Sequence, residues 1–291
     1  WNEECLSNKN YGNRLEMYNQ LFEYINIGLV DMSYEVMRER SANAIQYKPR
    51  PMELPGAVWP LDDMKRRRPN HKAIAYVEDR LWDAAYLGKH YNVSYCLDSY
   101  YDDVKNRIVA PAYLHGKLVG WQARYVGEAP KGTAKWWTCP GFRCGSTLYN
   151  YDRMSKCQTK VIVEGPADVW NFGPQAAGLF NKVMTPDQRK LLADCFEPED
   201  VIVVLLDPEM DSKAKARGDQ HHIEKLANEL MAEPKFRKRV IKVYLPHNCD
   251  PDELDKEYMR LLIKMEAKRH NLPVTFTKPK ETTDATGDIS A

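Results

Sequence analysis

Apolar positions change their spacing along the chain, and each change predicts a different element. From Trp1 to Arg50 they fall at helical intervals, as in Leu15, Tyr18, Leu21, Phe22 and Ile25, and the run breaks at Pro49, Pro51 and Pro55. A helical arm followed by a linker is expected, closed by the Lys65-Arg66-Arg67-Arg68 run as a solvated turn. Ala73 to Leu87 returns to helical spacing. Then Arg107 to Leu114, a His115-Gly116 turn signal, and Lys117 to Arg124 predict a β-hairpin.

Beyond Lys160 strands and helices alternate. Val161-Ile162-Val163 is a short buried-strand run, and Thr185 to Cys195 reads as a helix with Thr185 as cap and Pro186 in its first turn. Val201 to Leu206 is an unbroken apolar strand, Ala214 to Met231 a helix, Val240 to Leu245 a strand and Asp252 to Arg269 a last helix. Alternation of this kind predicts an α/β fold with a mainly parallel sheet flanked by helices and ligands at the carboxyl ends of its strands. A smaller α+β subdomain with the antiparallel hairpin and the helical N-terminal arm would precede it. The expected divisions are residues 1–70 for arm and linker, 71–159 for the α+β subdomain, 160–270 for the parallel-sheet domain, and 271–291 for a mobile tail that from Thr277 on has almost no apolar content.

Composition narrows the function. The chain has 291 residues, 43% of them hydrophobic and 29% charged, and no run of about 18 apolar residues that could span a bilayer. No leader opens it, and seven cysteines, an odd number, do not read as a disulfide framework, so a reducing cytoplasm and no membrane are expected. A start at Trp1 suggests a piece cut from a longer protein or a processed product. The net charge of +1 hides a polarity: from Lys105 to Lys160 ten basic residues face two acidic ones. Tyr113, Trp121, Tyr125, Trp136, Trp137, Phe142, Tyr149 and Tyr151 are interleaved with them. Cations and rings so mixed suit a groove that tracks phosphates while bases stack; the same rings also suit ordinary strands and core.

The acids cluster where strands end. Glu164 and Asp168 follow the first strand of the alternating region, Asp207, Glu209 and Asp211 the second, and Asp250 and Asp252 the third. Parallel strands deliver their ends to one edge, where such carboxylates would raise one another's pKa unless a cation neutralises them. Mg²⁺, a hard ion that takes carboxylates and phosphate oxygens, is the natural candidate, although each acid taken alone reads more readily as a loop cap or turn former than as a ligand. Cys139, Cys144 and Cys157 lack a paired C-x-x-C, so zinc is not expected here. His221, His222 and His247 read as solvated or loop residues, and no G-x-x-x-x-G-K-[ST] phosphate loop is present.

Glu164-Gly165-Pro166-Ala167-Asp168 after one β-run, with an Asp-x-acid cluster after a later one, resembles the TOPRIM domain shared by bacterial-type (DnaG-like) primases, topoisomerases and some nucleases, whose signature is Glu, then Asp-x-Asp. Several features resemble the primase branch in particular. Arg107-Ile108-Val109-Ala110-Pro111 with Gly120 to Arg124 is similar to the hairpin that opens the primase core. Lys135 to Pro140, Phe142 to Gly145 and Leu148-Tyr149 are similar to the segment leading into its TOPRIM sheet, and Asp250-Pro251-Asp252 to its last acidic turn. The resemblance covers about Ala73 to Leu262. It implies a primase catalytic core from a phage or a bacterial mobile element: a nucleotidyltransferase that uses Mg²⁺ (or Mn²⁺) to start RNA primers on single-stranded DNA from NTPs, beside a replicative helicase. By the resemblance, Asp207, Glu209 and Asp211 hold the metal, with Asp168 and Asp250 in reserve or a second shell. Glu164 is a ligand or assists proton transfer, and Arg107, Arg124, Lys135 and Arg143 line the groove. The chain departs from the pattern at Glu209 and at Cys144, where a basic residue is usual, and no zinc ribbon is present. A non-catalytic replication scaffold and a TOPRIM nuclease are the alternatives.

Overall fold

The computed structural model describes residues 52–207, 221–245 and 249–276. Two sheets organise them. The first is antiparallel, in the order β1 (Gly56–Pro60), β2 (Ser94–Ser99), β3 (Ile108–Leu114), β4 (Lys117–Arg124) and β5 (Trp136–Thr138). The predicted hairpin is β3–β4, paired from Ile108 opposite Arg124 to Leu114 opposite Lys117. Its turn has φ +52° at His115 and +74° at Gly116, the positive pair that matches strand twist in two-residue hairpins. Asp152 fixes that turn by accepting both amide N–H groups, at 2.7 and 2.8 Å.

The stretch expected as a linker is structured from Gly56 onward. Residues 56–60 form an edge strand paired with β2, where Pro60 needs no ladder donor, and Leu61–Arg67 follow as helix α1. The basic run is the end of that helix, with Asp63 holding Arg66 and Arg67 and Glu78 holding Lys65. The single helix expected over 73–87 is two, α2 (Lys72–Asp79) and α3 (Ala84–Tyr91), separated at Leu81, whose φ is +60°. Asp83 starts the second by capping the Tyr86 N–H at 3.0 Å.

The second sheet is parallel, in the order β7 (Ala176–Gly178), β6 (Thr159–Val163), β8 (Val201–Val204) and β9 (Val240–Lys242). Helices α4 (Tyr151–Met154), α5 (Pro166–Phe172), α6 (Pro186–Asp194), α7 (His221–Ala232) and α8 (Lys256–Arg269) accompany it. Thr185 and Gln188 close a reciprocal capping box at α6, as its sequence predicts. The last helix begins later than expected, behind an Asp255 cap on the Tyr258 N–H. Residues 214–220 of the expected helix before β9 lie outside the described residues, as do the arm before residue 52 and the tail after residue 276.

Strand alternation divides the core. Val161, Val163, Val203 and Ile241 face a cluster shared with Ile108, Ala110 and Tyr149, while Ile162, Ile202 and Val204 face Leu192, Leu226 and Leu230. Each such side chain removed from water contributes roughly 1.5–3 kcal/mol, and the shared cluster joins the carboxyl ends of the parallel strands to the antiparallel sheet. Among the described residues no helix is long and apolar enough to cross a membrane.

Candidate active site

Strand β6 runs directly into Glu164, and Gly165-Pro166 turns the chain into α5. The turn passes so close to β7 that a Cβ on Gly178 would lie 2.9 Å from the Gly165 carbonyl carbon. Asp168, at the third position of α5, accepts the Gly165 N–H at 2.8 Å and is buried. Burial, then the charge of Asp207, pushes its carboxyl well above the usual range. Strand β8 continues through buried Leu205 and Leu206 to Asp207.

Glu164 Oε2 and Asp207 Oδ1 are both buried and accept no hydrogen bond. Burial and the charges of Glu164 and Asp250 raise the Asp207 carboxyl from 3.8 to about 7. Lys182, between β7 and α6, brings its ammonium 3.9 Å from Glu164 Oε2. The third acidic loop is held from two sides. Asn171 of α5 donates to the carbonyls of Pro251 and Leu254, both at 2.7 Å, and Arg80 meets Asp252 at 2.9 Å.

The opposite wall comes from the antiparallel sheet. Gln122, Arg124, Lys135 and Trp136, with Phe180, face Glu164, Asp168, Asp207, Asp250 and Asp252 across a pocket of about 280 Å³. Arg124 is 1% exposed: its Nε donates to the Tyr76 hydroxyl at 2.7 Å, and its guanidinium lies 5.1–5.9 Å from the ring centres of Trp82, Trp136 and Tyr76. Its Nη2 stands 3.7 Å from Asp252 and makes no hydrogen bond, which leaves a donor for a ligand.

Not every expected residue reaches the pocket. Arg107 is buried elsewhere, its guanidinium donating to the carbonyls of Asp103, Ala134 and Lys135, so it braces the β5 approach instead of lining the groove. The cause is its position at the buried start of β3, where a guanidinium needs carbonyl partners. Arg143 is exposed and outside the pocket lining. Glu209 and Asp211 lie outside the described residues. Trp121 stacks on Trp137 and is buried, as is Tyr149, so several rings of the basic segment are core. Lys182, Arg80 and Asn171 join the site without any local signal: Arg80 and Asp252 are 172 positions apart.

Among the described residues no three acidic, histidine or cysteine side chains are close enough together to hold a metal ion unaided. The donors nonetheless suit one: two buried carboxylate oxygens without partners, hard ligands whose mutual repulsion a divalent cation would relieve.

An antiparallel sheet set against the acidic edge of a parallel one defines the polymerase-domain fold of DnaG-type primases. No family model matches the sequence, and no curated protein matches it. Solved structures match its fold over 70% of the chain: the Aquifex aeolicus primase zinc-binding and RNA polymerase domains (20% identity, TM-score 0.50), a DNA primase domain from Pseudomonas aeruginosa (17%, 0.53) and a DnaG primase catalytic domain bound to single-stranded DNA (18%, 0.52). The matched share is 59% of the Aquifex chain and 74% of each of the other two.

Proposed function

We propose that the chain is the catalytic core of a DNA primase, a DNA-templated RNA polymerase that starts short primers on single-stranded DNA. One observation carries the reading: two half-buried carboxylates, Glu164 and Asp207, each with a buried oxygen that accepts no hydrogen bond, face Arg124 and Lys135 across a pocket in the primase polymerase fold. Nucleotidyl transfer needs this separation of charge. A 3′-hydroxyl attacks the α-phosphate and pyrophosphate leaves, so the protein must align the two and neutralise the triphosphate.

Glu164 and Asp207, with Asp250 beside them and Glu209 and Asp211 following in sequence, would hold Mg²⁺ or Mn²⁺. The ion would supply charge neutralisation and Lewis acidity at the phosphates. Arg124 is oriented before substrate arrives by its rings and Tyr76, and offers Nη2 to a phosphate. Trp136 and Phe180 offer faces for a base. Asp168 and Asp252 act as positioning residues, the first through the Gly165 turn and the second through Arg80. Arg143 is a candidate contact for template phosphates, and residues 71–159 and 160–270 divide the work into groove and acidic halves. The single-stranded DNA in one similar primase domain supports such a template. The reading further implies NTPs as substrates, a replicative helicase as partner, and a cytoplasmic setting in a bacterium or its phage.

The test is incubation with unprimed single-stranded DNA, Mg²⁺ or Mn²⁺ and labelled nucleotides, resolved on a denaturing gel. New short oligonucleotides from the wild type, absent with Glu164→Ala or Asp207→Ala, are expected. An untouched template without products would sink the reading in favour of a scaffold, and a shortened template in favour of a nuclease.

A further inference from the structure

Among the described residues, the acidic wall holds a cation that the proposed transfer does not use. Lys182 lies on irregular backbone between β7 and α6, where Asn181 Oδ1 accepts its amide N–H at 2.7 Å. Its ammonium is 3.9 Å from Glu164 Oε2, too far for a hydrogen bond but within ion-pair range. The same charge reaches Asp207, where it opposes the push of the neighbouring carboxylates. The cations of the opposite wall stand off from this pair: Arg124 is directed at Tyr76 and Asp252, and Lys135 lines the far side of the pocket.

The contact is also easy to leave. The Lys182 side chain is 38% exposed, and an ammonium is a compact, hydrated charge on a flexible stem with no fork to grip a carboxylate. Among the described residues, neither Glu164 Oε2, toward which it leans, nor Asp207 Oδ1 accepts a hydrogen bond.

We propose that Lys182 is an internal counter-ion: its ammonium balances Glu164 and Asp207 while no divalent cation is bound and gives way when one binds. This rests on the cation-dependent reading above. The affinity for the metal is then set by competition with a tethered charge, and the acidic edge stays assembled in the metal-free protein.

The experiment titrates Mn²⁺ into the metal-free 291-residue chain, Lys182→Met and Lys182→Arg at low ionic strength, with binding read by calorimetry and the metal-free Tm read alongside. Lys182→Met should bind Mn²⁺ about three- to tenfold more tightly than wild type and melt lower without metal, the gain shrinking in high salt. Lys182→Arg, whose planar fork can hold a carboxylate by two donors, should bind more weakly than wild type. Equal or weaker binding by Lys182→Met overturns the proposal, including the case in which the lysine serves only the triphosphate. If the wild type itself binds no Mn²⁺, the cation-dependent reading fails first, and that failure is visible without any variant.

Discussion

The two walls of the pocket bury charge in opposite ways. On the antiparallel side Arg124 is the more completely enclosed and its Nη2 makes no hydrogen bond, yet its Nε donates to Tyr76, three rings surround it and Asp252 faces it. On the parallel side Glu164 and Asp207 each keep a buried oxygen with no donor at all. A buried charge that finds its partners inside the chain offsets its own desolvation, and removing it leaves those partners uncompensated. One left open destabilises the fold and is kept for what it can bind.

That contrast can be broken by substitution. The largest effect is expected on turnover: Glu164→Ala or Asp207→Ala should lower primer synthesis by at least about 10²–10³-fold, with single-stranded DNA binding by fluorescence anisotropy nearly unchanged. Next comes stability, where the walls should respond with opposite sign. Arg124→Met should cost about 3 kcal/mol, or roughly 6–12 °C in Tm, whereas Asp207→Asn should raise the metal-free Tm by roughly 2–6 °C. Thermal melts that move the same way for both variants would erase the distinction.

The pH dependence sharpens it further. Asp207 binds its proton more tightly in the folded chain, at about 7 against 3.8, so stability is fullest below about 4 and is lost as pH rises toward 7. Asp168 acts in the same direction. Melting the metal-free protein at pH 5 and pH 7.5 should show the acidic wall's contribution falling with pH, and Asp207→Asn should flatten the difference. The smallest effect belongs to a pair outside either wall: Lys65 and Glu78 meet at 2.6 Å but are both well exposed, so Lys65→Ala should shift stability by less than about 0.5 kcal/mol.

The features legible in the sequence were those written in local periodicity. The hairpin, the buried runs of β6 and β8 and the Thr185 cap each announce themselves within a few residues, and the parallel topology then places Glu164 and Asp207 together. Features resting on one residue's context were hidden. Strand β7 is Ala176-Ala177-Gly178, with no branched or aromatic side chain to mark it, and β1 was obscured by the prolines around it. Arg107 and Arg124 look alike in the sequence, but carbonyls surround one and rings the other. Lys182 has no periodicity to be read from, because the backbone that carries it is irregular.

Helix α5 spans the interval between two acidic loops. Its first turn receives Asp168, and Asn171, one turn on, grips the backbone of the third loop at Pro251 and Leu254. In protein engineering this makes a fixed gauge. An inserted residue between Pro251 and Leu254 would pull one carbonyl off the Asn171 amide, whereas the turn that Gly127 and Gly132 occupy is exposed and a Cβ added at either glycine meets no neighbouring atom. Tags or extensions meant to leave the pocket intact belong in that second turn, and length changes that alter the pocket belong in the first.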